Sequence, residues 1–162
     1  MRKAVYAGSF DILTNGHLWM IKAGVRVFDE LTIALGVNPG KKMMFNTEER
    51  NEMLTEVVKG LPVTIDVLCD EFLVNYAMRI GSPFLLRGIR NSADYEYEHM
   101  MRVVNSEIRK GVTTVFLMPP PKLAAVSSSM VKSLIGPMGW EKEVAKYVPP
   151  LVLDRIREKH RA

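Results

Sequence analysis

The sequence predicts an α/β protein with a Rossmann-like, doubly wound, five-stranded parallel sheet and C-terminal helices. Short runs of apolar and β-branched residues alternate with longer stretches of helical periodicity, which is the pattern of βαβ units. The chain has 162 residues, of which 48% are hydrophobic, and this is the size and composition of one ordinary globular domain. We therefore expect a single domain over residues 1–162.

Five strands are predicted where a short apolar run is bounded by turn residues. They cover residues 3–7, 31–37, 63–67, 83–86 and 114–118. Helices are predicted between them, over residues 15–28, 48–59, 72–79 and 94–109, and two or three more begin near Ser128, Trp140 and Pro149. Asn46 before Glu48 and Glu49 is typical of a helix start, because it combines a capping residue with acidic groups in the first turn. The prolines at 119–121 predict a stiff loop.

Composition and charge limit the class of protein. The formal charge of +4 is modest, and the basic residues are spread along the chain, which favours small anions over nucleic acid. The chain shows neither a signal peptide nor a stretch of the ~20 apolar residues that a membrane helix needs, so we expect a cytoplasmic protein without a membrane or nucleic-acid partner. Cys69 is the only cysteine, which excludes an internal disulfide and a cysteine metal cluster.

The loop after the first strand offers the first candidate binding residues. In an open parallel sheet, ligands bind beyond the carboxyl ends of the strands. Residues 8–17, Gly-Ser-Phe-Asp-Ile-Leu-Thr-Asn-Gly-His, place His17 in the first turn of the next helix. Free amide groups and the helix dipole favour a phosphate there, and an imidazole can donate to its oxygen. The alternative for a single histidine beside a glycine is a structural role.

The ends of three further strands add charged and hydroxyl groups at the same edge of the sheet. Lys41 and Lys42 follow the second strand, either as solvated side chains or as cations beside the pocket; the glycine spacing does not match a Walker motif. Arg87 and Arg90 follow the fourth strand, where paired guanidinium groups suit polyphosphate. The serines at 127–129 follow the fifth, as a phosphate contact or as an ordinary helix cap. Together these segments predict an anion-binding pocket with one imidazole.

Two other kinds of chemistry are disfavoured. The first turn lacks the Gly-x-Gly-x-x-Gly fingerprint of dinucleotide-binding proteins, which argues against hydride transfer. His99 and His160 lie far from His17 in the sequence, so no protein-bound metal site is expected. A Mg²⁺ ion carried by a nucleotide is compatible with the pattern.

Several segments resemble a known family. Gly-Ser-Phe-Asp at 8–11 followed by Thr-Asn-Gly-His at 14–17 resembles the Thr/His-x-Gly-His signature of nucleotidyltransferases. Residues 87–98 and 126–132 are similar to the bacterial phosphopantetheine adenylyltransferases, and the similarity covers nearly the whole chain. The resemblance implies transfer of the adenylyl group of ATP to 4'-phosphopantetheine, giving dephospho-coenzyme A and pyrophosphate in the penultimate step of coenzyme A synthesis. It also implies Mg²⁺ and a homohexamer.

The resemblance further implies roles for individual residues in a direct in-line attack without a covalent enzyme intermediate. His17 would bond the α-phosphate as charge builds there, Lys41 would bridge the nucleophile and the α-phosphate, and Arg90 would hold the pyrophosphate. The residues implied to contact the pantetheine substrate are Ser9, Lys41, Leu73 and Arg87. The residues implied to hold ATP are Ser9, Phe10, His17, Gly88, Ile89, Arg90, Glu98, Leu123, Ala124, Ala125, Val126, Ser127, Ser128 and Ser129.

The sequence departs from the family pattern in the first loop and before the serines. Ala7 and Ile12 stand where proline is frequent, and we expect Ile12 to loosen the loop; Ser9 replaces a threonine but keeps the hydroxyl. Residues 123–125 replace a segment that is often aromatic, which leaves backbone contacts to adenine. Two alternatives stay open: a related nucleotidyltransferase with another phosphorylated acceptor, against which residues 87–98 argue, and a nucleotide sensor without turnover, which need not keep both His17 and Lys41.

Overall fold

Five parallel strands form the centre of the protein, for which a computed structural model describes residues 1–37, 40 and 42–161. The strand order is β3-β2-β1-β4-β5, so the chain reverses direction across the sheet between β1 and β4 and leaves a crevice there. The strands are β1 (Lys3–Gly8), β2 (Glu30–Gly36), β3 (Val63–Leu68), β4 (Phe84–Gly88) and β5 (Thr113–Leu117). The predicted doubly wound sheet is confirmed.

Helices connect the strands and complete the C-terminal part of the described chain. They are α1 (Asn15–Val27), α2 (Thr47–Val57), α3 (Leu73–Arg79), α4 (Ser92–Ile108), α5 (Pro121–Ala124), α6 (Ser128–Leu134), α7 (Trp140–Val144) and α8 (Pro150–Arg161). Within the described ranges, we find no helix with the length and apolar character needed to span a bilayer.

The core lies on both faces of the sheet, because successive strand residues point to opposite sides. Tyr6 and Ile33 are buried in the larger cluster, with residues of α1, α2 and the C-terminal helices. Val5 and Ala34, each next to one of them in sequence, are buried in a smaller cluster with residues of α3. Because strand residues alternate between the two faces, a layer of helices packs against each face of the sheet. The carboxyl ends of the strands lie at the edge between these layers.

Most predicted boundaries differ from the observed ones by one or two residues. The fourth strand begins at Phe84 because Pro83 has no amide proton for the ladder, although its carbonyl accepts the Thr113 N–H at 2.8 Å. It continues to Gly88 because Arg87 and Gly88 still pair with β5. Helix α4 begins at Ser92, since the Asn91 side chain caps the Asp94 N–H at 2.9 Å.

The predicted stiff loop at 119–121 is wrong at its end, because Pro121 begins the short helix α5. Proline is well suited to a first helical position, where its fixed φ fits and its missing N–H has no partner in the helix. Helix α5 places Leu123 beside the crevice.

Candidate active site

A cavity of about 380 Å³ lies at the crevice beyond β1 and β4, which is within the usual size range of small-molecule sites. Nine of the predicted residues line it: His17, Arg87, Gly88, Arg90, Glu98, Leu123, Val126, Ser127 and Ser128. It is also lined by residues for which no individual contact was predicted, namely Tyr6, Ala7, Gly8, Thr14, Gly16, Met20, Asp94, Tyr97 and Pro119. The edge where the sequence predicted an anion pocket is therefore hollow.

A second, smaller cavity of about 270 Å³ shares Arg87 and the end of β1 with the first. Ser9 and Gly36 lie on its wall, together with Val37 and Met43 from the segment after β2. Arg87 thus borders both cavities. Lys41, predicted for this side of the site, lies outside the described residues.

The N-terminus of α1 fixes the orientation of His17. Thr14 is the N-cap, and its backbone N–H donates to Nδ1 of His17 at 3.0 Å. The His17 N–H donates in return to Oγ1 of Thr14 at 3.4 Å, which completes a capping box with histidine in the place of the usual acidic residue. Since Nδ1 accepts a hydrogen bond, the ring is neutral and carries its proton on Nε2. His17 is thereby a donor from Nε2.

The surroundings of His17 keep the ring uncharged. Burial, together with the positive charge of Arg90, lowers the pKa of His17 from 6.5 to about 4. Desolvation disfavours the imidazolium form, and so does a nearby cation. At neutral pH, His17 can therefore donate one hydrogen bond to a ligand without bringing a charge of its own.

Phe10, predicted to contact ATP, lies beneath the cavity and not on its wall. Its side chain is 1% exposed, and its ring packs edge-on against Tyr6 and against His17, with centroids 5.6 and 5.2 Å apart. Its φ of 49° turns the chain inward. A Cβ on Gly8 would meet the Phe10 ring at 3.2 Å, so the glycine makes room for it. Phe10 supports the histidine from behind.

Arg87 is tied to α4 by Glu98. Nε of Arg87 donates to both carboxylate oxygens of Glu98 at 2.9 Å, Nη2 donates to Oε1, and Nη1 donates to the Ala7 carbonyl at 3.1 Å. Burial alone would lower the pKa of Arg87, but the hydrogen bonds to Glu98 and the negative charge of Glu98 together outweigh it, so that the pKa is raised. Glu98, predicted to hold ATP, is in this structure a fixed partner of Arg87.

Arg90 has a similar partner that the sequence analysis missed. Its Nε and Nη2 donate to the Asp94 carboxylate at 2.8 and 3.0 Å, and its Nη1 donates to the Val126 carbonyl at 3.1 Å. The bonds between them raise the pKa of Arg90 and lower that of Asp94. The sequence contains a feature that indicates this ion pair, because a basic and an acidic residue lie four positions apart at a helix start. Arg90 is therefore held in place before any ligand arrives.

Two of the three serines at 127–129 form hydrogen bonds within the protein. Oγ of Ser127 accepts the Met130 N–H at 3.1 Å, so the helix-cap interpretation of this serine is correct. Ser128 donates from Oγ to the Ile12 carbonyl at 2.7 Å, while Ser129 is exposed. Ile12 is completely buried, so the first loop is anchored here, and the expectation that Ile12 loosens the loop relative to proline stays a prediction. The Asp11–Ile12 peptide bond is cis.

A buried carboxylate that was not predicted joins two loops and a helix. Asp11 is 3% exposed and accepts the N–H groups of Met44 and Phe45, each at 2.9 Å, and Nζ of Lys132. It links the first loop to the segment before α2 and to α6. Sequence alone gives Asp11 no partner, because all of them lie more than thirty positions away.

The remaining predicted residues lie outside the wall of the larger cavity. Ile89 is buried and Ala125 is exposed, and neither they nor Ala124 line it. Leu73, predicted to contact the pantetheine substrate, begins α3 and packs against the smaller core cluster. The structure does not bring Leu73 to either cavity, because α3 lies against the sheet face with Val74 and Ala77 buried.

The described side chains do not form a cage for a divalent cation. No group of three His, Cys, Asp or Glu residues within the described ranges is placed to hold a metal. The two carboxylates on the cavity wall, Asp94 and Glu98, each bind an arginine. Mg²⁺ is usually bound by few carboxylates together with substrate phosphates.

Comparison with known proteins gives consistent matches. Residues 5–134 match the model of the cytidylyltransferase-like family. The chain is 53% identical over 157 residues to a phosphopantetheine adenylyltransferase of Chromobacterium violaceum, covering 96% of both. It is 49% identical over 160 residues to one of Neisseria meningitidis serogroup C, covering 98% of this chain and 94% of the relative.

Among solved structures, the fold is similar to that of Plasmodium falciparum nicotinic acid mononucleotide adenylyltransferase complexed with NaAD. The TM-score is 0.70 at 15% identity, over 96% of this chain and 94% of that one. At this identity the likeness concerns the fold.

Proposed function

The chain belongs to the phosphopantetheine adenylyltransferase family, within the cytidylyltransferase-like proteins, and from this premise we propose how its site carries out the reaction. The enzyme transfers the adenylyl group of ATP to 4'-phosphopantetheine and releases pyrophosphate, with dephospho-coenzyme A as the product. An oxygen of the acceptor phosphate attacks the α-phosphorus of ATP, and the bond from that phosphorus to the bridging oxygen of the pyrophosphate breaks. No covalent enzyme intermediate forms.

The orientation of His17 is the observation that carries this proposal. Because Nδ1 is occupied by the Thr14 N–H, the Nε2 proton is the one available to an α-phosphate oxygen. Such a preorganised donor stabilises the charge that develops in the transition state. We propose that Arg90, which Asp94 and the Val126 carbonyl hold on the same cavity wall, binds the departing pyrophosphate.

The smaller cavity suits the acceptor. Ser9 and Arg87 lie on its wall, and Arg87 also borders the larger cavity, so that one guanidinium group can hold the acceptor phosphate near the α-phosphate of ATP. Bringing the two reactants together in this way replaces a bimolecular encounter with a positioned reaction. Lys41 is proposed to bridge the two phosphates, and Leu73 stays a predicted contact to the pantetheine arm.

Three further features complete the proposal. Mg²⁺ enters with ATP, bound mainly by the phosphates, and lowers the negative charge that the site must accommodate. The enzyme is a homohexamer, which is supported by the exposed apolar side chains of Met100, Val103 and Val104 on one side of α4, because such patches commonly mark interfaces. It acts in the cytoplasm, where ATP is available.

The proposal is tested by pyrophosphate release from ATP and Mg²⁺. 4'-Phosphopantetheine is compared with nicotinamide mononucleotide and with glycerol 3-phosphate, the last also with CTP in place of ATP. We expect release only with 4'-phosphopantetheine. Release with another acceptor would keep the nucleotidyltransferase chemistry but reject this substrate. A folded protein that binds ATP but releases no pyrophosphate with any acceptor would be a nucleotide sensor.

A further inference from the structure

Arg50 on α2 is a buried cation whose partners are all uncharged. It is 3% exposed. Its Nη1 donates to the Ser9 carbonyl at 2.7 Å and to the Gly36 carbonyl at 3.0 Å. Nε donates to the Asn46 carbonyl at 3.2 Å, and Nη2 donates to Oγ1 of Thr47 at 3.2 Å. No carboxylate of the described residues forms an ion pair with it.

The other cations around the site differ from Arg50 in this respect. Three of them have a carboxylate of their own, so that each pair brings little net charge: Arg87 with Glu98, Arg90 with Asp94, and Lys132 with Asp11. A buried charge is costly unless a counter-charge lies nearby. Carbonyl groups satisfy the N–H donors of Arg50 but leave its positive charge uncompensated.

The position of Arg50 indicates where a counter-charge would bind. The carbonyls that Nη1 holds belong to Ser9 and Gly36, which follow or end the neighbouring strands β1 and β2. The same two residues line the smaller cavity, as does Arg87. An anion beside Ser9 and Gly36 would be separated from the Arg50 guanidinium by the backbone of these residues, and because Arg50 is buried, solvent would screen their attraction only weakly.

We propose that Arg50 is a positioning residue for the phosphate of the acceptor, an inference that rests on the proposed function. It fixes the backbone of Ser9 and Gly36, and its charge attracts the acceptor phosphate into the cavity. The enzyme therefore distinguishes the phosphorylated acceptor from its dephosphorylated form partly through a side chain that does not touch the ligand.

The test uses calorimetry to compare the dissociation constant of 4'-phosphopantetheine with that of pantetheine, which lacks the phosphate. Each constant is calculated for the concentration of folded binding sites. Arg50→Gln keeps amide donors but removes the charge, whereas Arg50→Lys keeps the charge with fewer donors. Arg155→Gln is the matched control, because it removes one positive charge that pairs with Glu52 on the outer side of α2. The affinity for ATP is measured for each variant.

We expect Arg50→Gln to weaken the preference for the phosphorylated ligand roughly 10-fold, as for the through-space attraction of one buried charge that solvent screens only weakly. Pantetheine and ATP should bind Arg50→Gln about as they bind the wild type, and Arg50→Lys and Arg155→Gln should keep the wild-type preference. Equal weakening of both pantetheine ligands by Arg50→Gln would overturn the inference, and so would loss of the preference in Arg50→Lys.

If Arg50→Gln does not fold, Arg50→Lys is decisive in one direction, because a side chain that acts through its charge must keep the preference, and loss of the preference in a folded Arg50→Lys would overturn the inference. If this inference is wrong but the proposed function is right, the wild type still releases pyrophosphate with 4'-phosphopantetheine. Failure of the proposed function appears instead as a wild type that releases no pyrophosphate with 4'-phosphopantetheine.

Discussion

At the scale of single residues, Thr14 decides which nitrogen of His17 faces the ligand. The Thr14 backbone N–H occupies Nδ1, and the Phe10 ring packs against the imidazole, so the ring has little freedom to turn. A neutral, oriented donor can strengthen its bond as charge moves onto the α-phosphate, and it needs no rearrangement at that moment.

Replacing His17 by alanine tests this role. We expect His17→Ala to fold and to bind ATP, but to have a kcat about 10²- to 10³-fold lower, the usual effect of losing one such donor. Steady-state kinetics and ATP calorimetry measure the two quantities. His160→Ala is the control, because His160 is an exposed histidine whose ring packs edge-on against Trp140. Near-normal turnover in His17→Ala would exclude a role for this donor.

The low pKa of His17 also predicts a pH dependence of stability. Burial and Arg90 lower the pKa to about 4 in the folded protein, from an ordinary value of 6.5. Between these values the unfolded chain binds more protons, so stability falls as the pH decreases from 6.5 to 4. We expect the free energy of unfolding of the wild type, minus that of His17→Ala, to shrink over this interval and to stay constant above it. Urea titrations at a series of pH values measure the difference; a constant difference would contradict the lowered pKa.

The candidate residues could be predicted from the sequence where the order of strands and helices is enough to bring them to one edge of the sheet. His17, Arg87 and Arg90 follow strands whose carboxyl ends meet at one edge of a parallel sheet, and the order of elements was readable from periodicity. The hydrogen-bond and ion-pair partners of these residues could not be predicted from the order of elements. The inward turn of Phe10 and the three donors around Asp11 depend on side chains that only the folded chain brings together.

At the scale of elements, α4 is held mainly by polar contacts. Of its seventeen residues only Glu98 is buried, and the ion pairs of Arg87 and Arg90 connect it to the end of β4. The sequence predicted the helix but not this weak attachment to the core, because its apolar residues give the periodicity of a packed face. The same ion pairs that attach α4 also orient two cavity-lining arginines.

Glu98→Gln should therefore weaken both the helix and the site. A glutamine keeps one acceptor oxygen but loses the charge that Arg87 binds, and we expect a loss of about 1.5 to 3 kcal/mol, as for hydrogen bonds to charged groups. Denaturant titration measures this loss, and hydrogen exchange should be faster along α4. The control is Glu96→Gln, because Glu96 is exposed on the same helix. Unchanged exchange along α4 in Glu98→Gln would show that other contacts hold the helix.

At the scale of the whole molecule, paired charges surround the larger cavity although the chain as a whole carries +4. Each arginine on the wall is oriented by its own carboxylate, which lowers the conformational entropy that ligand binding would otherwise remove. The net positive charge needed for two phosphorylated substrates must come from other groups. Arg50, and Lys41 from outside the described residues, are our candidates.

The outer face of α4 bears on the proposed assembly of the whole molecule. Met100 is 53% exposed and lies among other exposed apolar side chains of this helix. If subunits meet there, a buried glutamate would be unpaired in the interface and would oppose association. We expect Met100→Glu to reduce the mass measured by light scattering from that of a hexamer to that of smaller species.

Met138→Glu is the control, since Met138 is completely exposed in the segment between α6 and α7 and its replacement should leave the mass unchanged. A Met100→Glu protein that keeps the wild-type mass would place the interface elsewhere, and a monomeric wild type would reject the homohexamer itself.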